Sequence, residues 1–133
     1  MTACAGGCLC GQVRWAATAA PANVRVCHCR LCQKATGGPF FARAIFRAED
    51  ITWSGETTAW PSSPRIDRLS CARCGTPMFA RPKDAPARLG VALATLDDPD
   101  ALAPTVHIWV SRKLDWLNLD DGLPQCVEGY VEP

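Results

Sequence analysis

The sequence predicts a mainly β protein, and three observations carry that expectation. Apolar and other residues alternate with period two over several short stretches, helical periodicity is confined to one or two turns, and glycine and proline punctuate the intervals. With 133 residues, 14.3 kDa, no internal repeat and no linker, the chain reads as one domain over 1–133. A globule of that size buries roughly two-thirds of its unfolded surface, enough for a modest core.

Taken in order, alternation predicts strands at 13–15, 40–46, 51–53, 69–71, 78–80, 89–96 and 106–110. A short helix is expected over 30–36, stopped by Gly37 and Gly38, and a second over 111–116 with Ser111 as its cap. Gly55, Pro61, Pro64 and the proline-flanked stretch 82–86 read as turns, while Asp97, Asp98 and Pro99 close the strand before them. Exposed strand edges in such a fold leave a homodimer open as an assembly.

The net charge is +1, from 14 Lys and Arg against 13 Asp and Glu, so no broad field recruits nucleic acid or an anionic membrane surface. A few placed guanidiniums suffice for a small anion, and Arg25, Arg43 and Arg47 are available for that. Residues 1–7 have neither the basic nor the apolar region of a secretion signal, and no window is apolar enough to span a bilayer, which predicts a cytoplasmic address. Nine cysteines, an odd number at Cys-x-Cys and Cys-x-x-Cys spacings, suit reduced thiols binding metal better than a disulfide framework.

Seven of those cysteines form three groups. Cys8 and Cys10 precede Gly11, and Cys71 and Cys74 precede Gly75. A glycine after the last cysteine permits the positive φ of a tight knuckle that turns backbone N–H groups toward sulfur. Two matching knuckles with two thiolates each complete a closed tetrahedral zinc shell of Cys8, Cys10, Cys71 and Cys74, tying an early hairpin to a late one. The middle group, Cys27, Cys29 and Cys32, lacks the glycine and has no fourth cysteine at comparable spacing, so a metal there keeps an open position. A redox pair or three core thiols are the competing readings; three core cysteines within six positions is a rare coincidence, which favours metal. Cys4 and Cys126 stand alone as bystanders, and His28, between two ligands, points away from the ion.

The segments Gly6-Gly7-Cys8-Leu9-Cys10-Gly11-Gln12-Val13-Arg14-Trp15, Cys27-His28-Cys29-Arg30-Leu31-Cys32-Gln33-Lys34 and Cys71-Ala72-Arg73-Cys74-Gly75 resemble the glutathione-dependent formaldehyde-activating enzyme family, which also includes centromere protein V. Leu96-Asp97-Asp98-Pro99, His107-Ile108, Trp116 and Leu123-Pro124 resemble its closing pattern, and Cys126 stands where the family more often has a bulky apolar residue. The resemblance implies stacked antiparallel sheets and hairpins held by zinc, a fold related to a small Rab nucleotide-exchange protein. It also implies a structural zinc on Cys8, Cys10, Cys71 and Cys74, a second and more labile zinc on Cys27, Cys29 and Cys32, and condensation of glutathione with formaldehyde.

On that reading the partners are a small thiol such as glutathione and a small aldehyde, and the reaction is of carbon–sulfur lyase type. A thiol entering the open zinc site would be deprotonated and nucleophilic at neutral pH. Arg30 and Lys34 flank the triad as candidates for glutathione's carboxylates. His107 as a proton carrier and Trp116 as a cleft wall are weaker expectations. The bland readings, a strand histidine with one hydrogen bond and an anchor for the terminal helix, are favoured by apolar neighbours Ile108, Trp109 and Leu117. The alternative function is a non-catalytic thiol carrier.

Overall fold

The structure, a computed structural model, describes residues 2–132. Ten strands make two sheets. The smaller sheet orders β1 (Cys4–Gly7), β2 (Arg14–Ala17) and β5 (Ile51–Ser54). The larger one runs β10 (Val106–Ile108), β3 (Asn23–Cys27), β4 (Phe41–Arg47), β9 (Arg88–Ala92), β8 (Pro77–Pro82), β7 (Ile66–Cys71) and β6 (Thr57–Ser63). Every pairing is antiparallel except β10 with β3, which makes the larger sheet mixed.

The small sheet covers one face of the large one, and the main core lies between them. Val13, Trp15, Ala17 and Ile51 meet Val24, Ala44, Phe46, Phe79, Leu89 and Val91, all buried. Phe46 lies 6.2 Å from the Trp15 ring and Phe79 4.5 Å from that of Trp53. Because successive side chains leave a strand on opposite faces, the residues between those core positions turn the other way. Arg25 and Cys27 of β3, Arg43 of β4, and Arg88 and Gly90 of β9 therefore share the second face of the large sheet, where Phe41, Ala80, Ala92, Cys27 and Cys32 form a smaller apolar cluster.

Three strands escape the sequence reading. β1 is made of small residues, and its pattern becomes intelligible only in place. A Cβ on Gly6 would lie 2.1 Å from the Thr95 carbonyl and 2.8 Å from the Trp15 indole. β3 alternates Val24 and Val26 with Asn23 and Arg25, a signal present in the sequence. β6 contains Pro61, expected in a turn; it is tolerated because β6 is an edge, paired only with β7. The same proline removes a donor from that edge and disfavours pairing with a second copy.

The strand expected over 89–96 stops at Ala92. The Thr95 hydroxyl returns to the Ala92 carbonyl at 2.7 Å in a 3-10 turn and accepts the Trp15 indole N–H at 3.0 Å, after which Leu96 bridges Gly6 of the small sheet. The helix expected over 111–116 is absent. Trp109 is left-handed at φ 56, only a 3-10 turn at Val110–Arg112 follows, and Ser111 does not cap it. The N–H groups of Val110 and Ser111 go instead to the carbonyls of Cys126 and Val127, at 3.2 and 3.1 Å.

The expected helix over 30–36 is present as α1 (Arg30–Thr36). The Cys29 side chain accepts from the Cys32 N–H, and Gly37, at φ 71, ends the helix by donating to the Gln33 carbonyl. Only Gly37 of the two glycines needs the left-handed conformation. Seven residues cannot hold a helix alone. Buried Gln33 pins this one, its side-chain amide donating to the carbonyls of His28 at 2.8 Å and Arg112 at 3.0 Å.

Candidate functional site

All nine cysteines are free, and seven gather into two clusters. Cys8 and Cys10, in the β1–β2 turn, meet Cys71, at the end of β7, and Cys74, in the turn that follows it, so the cluster joins the small sheet to the large one. The sulfurs of Cys8 and Cys10 are 3.6 Å apart and those of Cys10 and Cys71 are 3.8 Å apart. Four thiolates at about 2.3 Å from a tetrahedral zinc stand about 3.8 Å from one another, whereas a disulfide needs about 2.05 Å. Spacing and donor type both fit zinc.

The expected knuckle geometry is present. Gly11 and Gly75 have φ of 82° and 79°, and their N–H groups return to the carbonyls of Cys8 and Cys71. The Val13 N–H points at the Cys8 sulfur at 3.2 Å, and those of Arg73 and Cys74 point at the Cys71 sulfur at 3.4 Å. Hydrogen bonding from Thr76 draws the Cys74 thiol down to about 5, and a sulfur so poised is ready for metal.

The second cluster is Cys27 at the end of β3, Cys29 capping α1 and Cys32 inside it, with their sulfurs within 4.8 Å of one another. The chain turns from strand to helix within three residues, so the cap geometry itself gathers the thiols. Cys27 and Cys32 are buried and Cys29 is half-buried. Hydrogen bonds from Cys27 and Cys29, with the charge of Arg43 and a hydrogen bond from Arg68, lower Cys32 to about 2, while Cys29, Cys32 and burial push the Cys27 thiol up. Cys32 is thus the seat of negative charge. Arg68 donates to its sulfur at 3.2 Å and Arg43 approaches at 3.9 Å.

The triad lines a cleft of about 570 Å³ on the second face of the large sheet. Its floor is a row of cross-strand partners, Arg68, Ala80, Gly90 and Ile45, in which the two small residues leave room above the sheet. Seven lining residues are arginines, against one acidic residue, Asp84. Aromatic faces and one amide hold several of them. Arg25 lies over the Tyr130 ring at 4.2 Å and donates to the Asn23 side chain, while Arg43 and Arg68 flank Phe41 at 5.9 and 5.5 Å. Burial, together with the like charge of Arg43, lowers Arg25 to about 10.

A family model described as glutathione-dependent formaldehyde-activating enzyme matches residues 3–112. The chain belongs to that family. A protein of Halomonas elongata named "Putative glutathione-dependent formaldehyde-activating enzyme" is 24% identical over 138 residues, covering 96% of this chain and 88% of that protein. In the solved structures, a Rhodobacter sphaeroides protein aligns with a TM-score of 0.58 and 24% identity over 71% of this chain and 88% of its own, a likeness of fold.

Within this family member the other sequence-predicted residues are dispersed. Arg30 lines the cleft and donates to the Gln33 side chain; Lys34 is exposed and outside the cleft lining. Arg25 and Arg43 line the cleft, while Arg47 is exposed and pairs with Glu49. Trp116 is 70% exposed and outside the cleft lining, so it serves neither as a wall nor as a helix anchor. Cys4 and Cys126 belong to neither cluster, and no helix is long and apolar enough to cross a membrane among the described residues.

His28 is fully buried behind the triad, with Nε2 2.9 Å from Nδ1 of His107, whose Nε2 lies 2.7 Å from Asp121. Burial, with the nearby His107 and Lys113, lowers His28 to about 4 and keeps it neutral. Neither histidine lines the cleft. The arginines missed by sequence reasoning are Arg65, Arg68, Arg88 and Arg112; Arg68 and Arg88 lie on β7 and β9, each one residue before the strand expected at 69–71 or 89–96.

Proposed function

We propose that this chain is a zinc-dependent enzyme of carbon–sulfur lyase type, joining a glutathione-like thiol to formaldehyde or a related small aldehyde. The observation that carries the reading is the shared wall: a three-thiol cluster with room for one more ligand opens on a cleft lined by arginines. Zinc on Cys27, Cys29 and Cys32 would supply the acidity that keeps an entering thiol deprotonated at neutral pH. Cys8, Cys10, Cys71 and Cys74 would hold a structural ion.

The chain's own groups do the rest. Arg30 and Arg112 offer bidentate donors for the two carboxylates of a glutathione-like thiol. Arg68 and Arg43, beside Cys32, offset the negative charge of the thiolates and permit a further anionic sulfur to approach. Orienting that sulfur against the aldehyde carbon is worth up to about 7 to 11 kcal/mol in well-placed intramolecular reactions. The alkoxide formed takes its proton from water, because no histidine lines the cleft. Nine free cysteines suit a reducing compartment, which supports a cytoplasmic address.

The same lack of a positioned acid favours a second reading, a thiol carrier without turnover. Free formaldehyde followed by NMR separates the two. Zinc-loaded protein is expected to accelerate its loss only with glutathione present, and a rate equal to the spontaneous one rejects the enzyme in favour of the carrier.

A further inference from the structure

The cleft carries more unpaired positive charge than a glutathione-like thiol neutralises. Of its seven arginines only Arg65 has a carboxylate within reach, Asp84 at 3.2 Å; the other six have none within 4.0 Å among the described residues. Two carboxylates accept from two guanidiniums in the bidentate mode. Four remain.

The surplus is organised. Arg25 and Arg43 are direct partners on the β3–β4 ladder, so like charges stand opposite each other, which destabilises a bare sheet, and Arg88 adds a third from the neighbouring β9. The ring of Tyr130 and the Asn23 amide nevertheless fix Arg25, and Gly90 provides the bed for Arg43, since a Cβ there would lie 2.8 Å from the Arg43 side chain. Buried Arg68 also leaves its Nε without a partner. Guanidiniums held apart from carboxylates and gathered on one wall match a tetrahedral dianion, whose three oxygens accept from several donors at once.

From this organisation we infer that the thiol taken by this cleft bears a phosphate group, held by Arg25, Arg43 and Arg88 while its sulfur reaches Cys27, Cys29 and Cys32. The inference rests on the reading above, because it treats the triad as the seat of the thiol.

A matched pair of probes tests it: pantetheine and 4′-phosphopantetheine, which differ only in the phosphate, titrated calorimetrically into zinc-loaded protein. The phosphorylated thiol is expected to bind about 10- to 100-fold tighter, the worth of charge-assisted hydrogen bonds. Arg88→Gln, at an exposed residue, is expected to collapse that ratio without unfolding the chain, and Arg25→Gln to collapse it further. Inorganic phosphate competing with 4′-phosphopantetheine but not with pantetheine places the phosphate on the thiol. Inorganic phosphate that instead tightens pantetheine binding overturns this assignment in favour of a separate ion. Equal affinities for the two thiols, or a ratio unchanged in both variants, overturn the inference as well. Because these measurements read binding, a flat formaldehyde rate removes the enzyme without touching the phosphate site, and equal affinities remove the phosphate site without touching turnover.

Discussion

The guanidinium of Arg68 donates to the sulfur of Cys32 at 3.2 Å, across 36 residues of chain and from inside the protein. This bond links the arginine wall of the cleft to its thiol cluster. Arg68→Gln removes the charge while keeping an amide donor. Absorbance at 240 nm in the reduced, metal-free protein is expected to show the first thiolate of the triad titrating at higher pH than in wild type. An unshifted titration would mean that the neighbouring thiols alone lower Cys32.

The two clusters are expected to fail differently. Zinc contributes about 10 to 16 kcal/mol in small finger peptides, as much as a whole domain's stability of about 5 to 15 kcal/mol. Cys71→Ser opens the cluster that joins the sheets and is expected to give unfolded or insoluble protein. Cys29→Ser is expected to stay folded with about one metal ion fewer. Elemental analysis and circular dichroism on both variants check this, and identical behaviour refutes the division of roles.

Gly90 is the bed on which Arg43 lies. Gly90→Val is expected to displace that side chain, leave circular dichroism unchanged, and weaken thiol binding by about tenfold, the worth of one charge-assisted hydrogen bond. Retained affinity would show that Arg43 contributes little to binding.

Stability should depend on acid through His28. An unfolded chain protonates this histidine near pH 6.5, whereas in the fold it stays neutral down to about 4. Its contribution is therefore complete above about pH 6.5, declines from there to about 4, and is flat below. The advantage of wild type over His28→Asn should shrink by at most about 3 kcal/mol across that window. Zinc-loaded protein unfolded thermally at several pH values measures it. Acid competes for the cysteines in both proteins, so the difference isolates the histidine.

Much of this architecture was legible because it is local. The glycines after Cys10 and Cys74 announced positive φ, and Gly37 announced the end of α1. The cysteine clusters were readable because knuckle spacing is a property of a few residues. Trp109 was not: its left-handed backbone follows from hydrogen bonds to 126–128, far along the chain, which also dissolve the helix expected after Ser111. β1 needed knowledge of Trp15 and Thr95 to explain Gly6. The arginine wall was hidden for a related reason. A near-neutral total masks a one-sided distribution, and the side shared by Arg25, Arg43, Arg68 and Arg88 appears only when five strands are put in register.

The family model stops at residue 112, yet Tyr130 stacks on Arg25 and Gly129 lines the cleft. The closing segment thus forms part of the rim over a thiol cluster built elsewhere. Such a division makes ligand choice evolvable: substitutions near position 130 can re-aim a single guanidinium and shift which anion is welcomed, while the thiols beneath keep their chemistry intact.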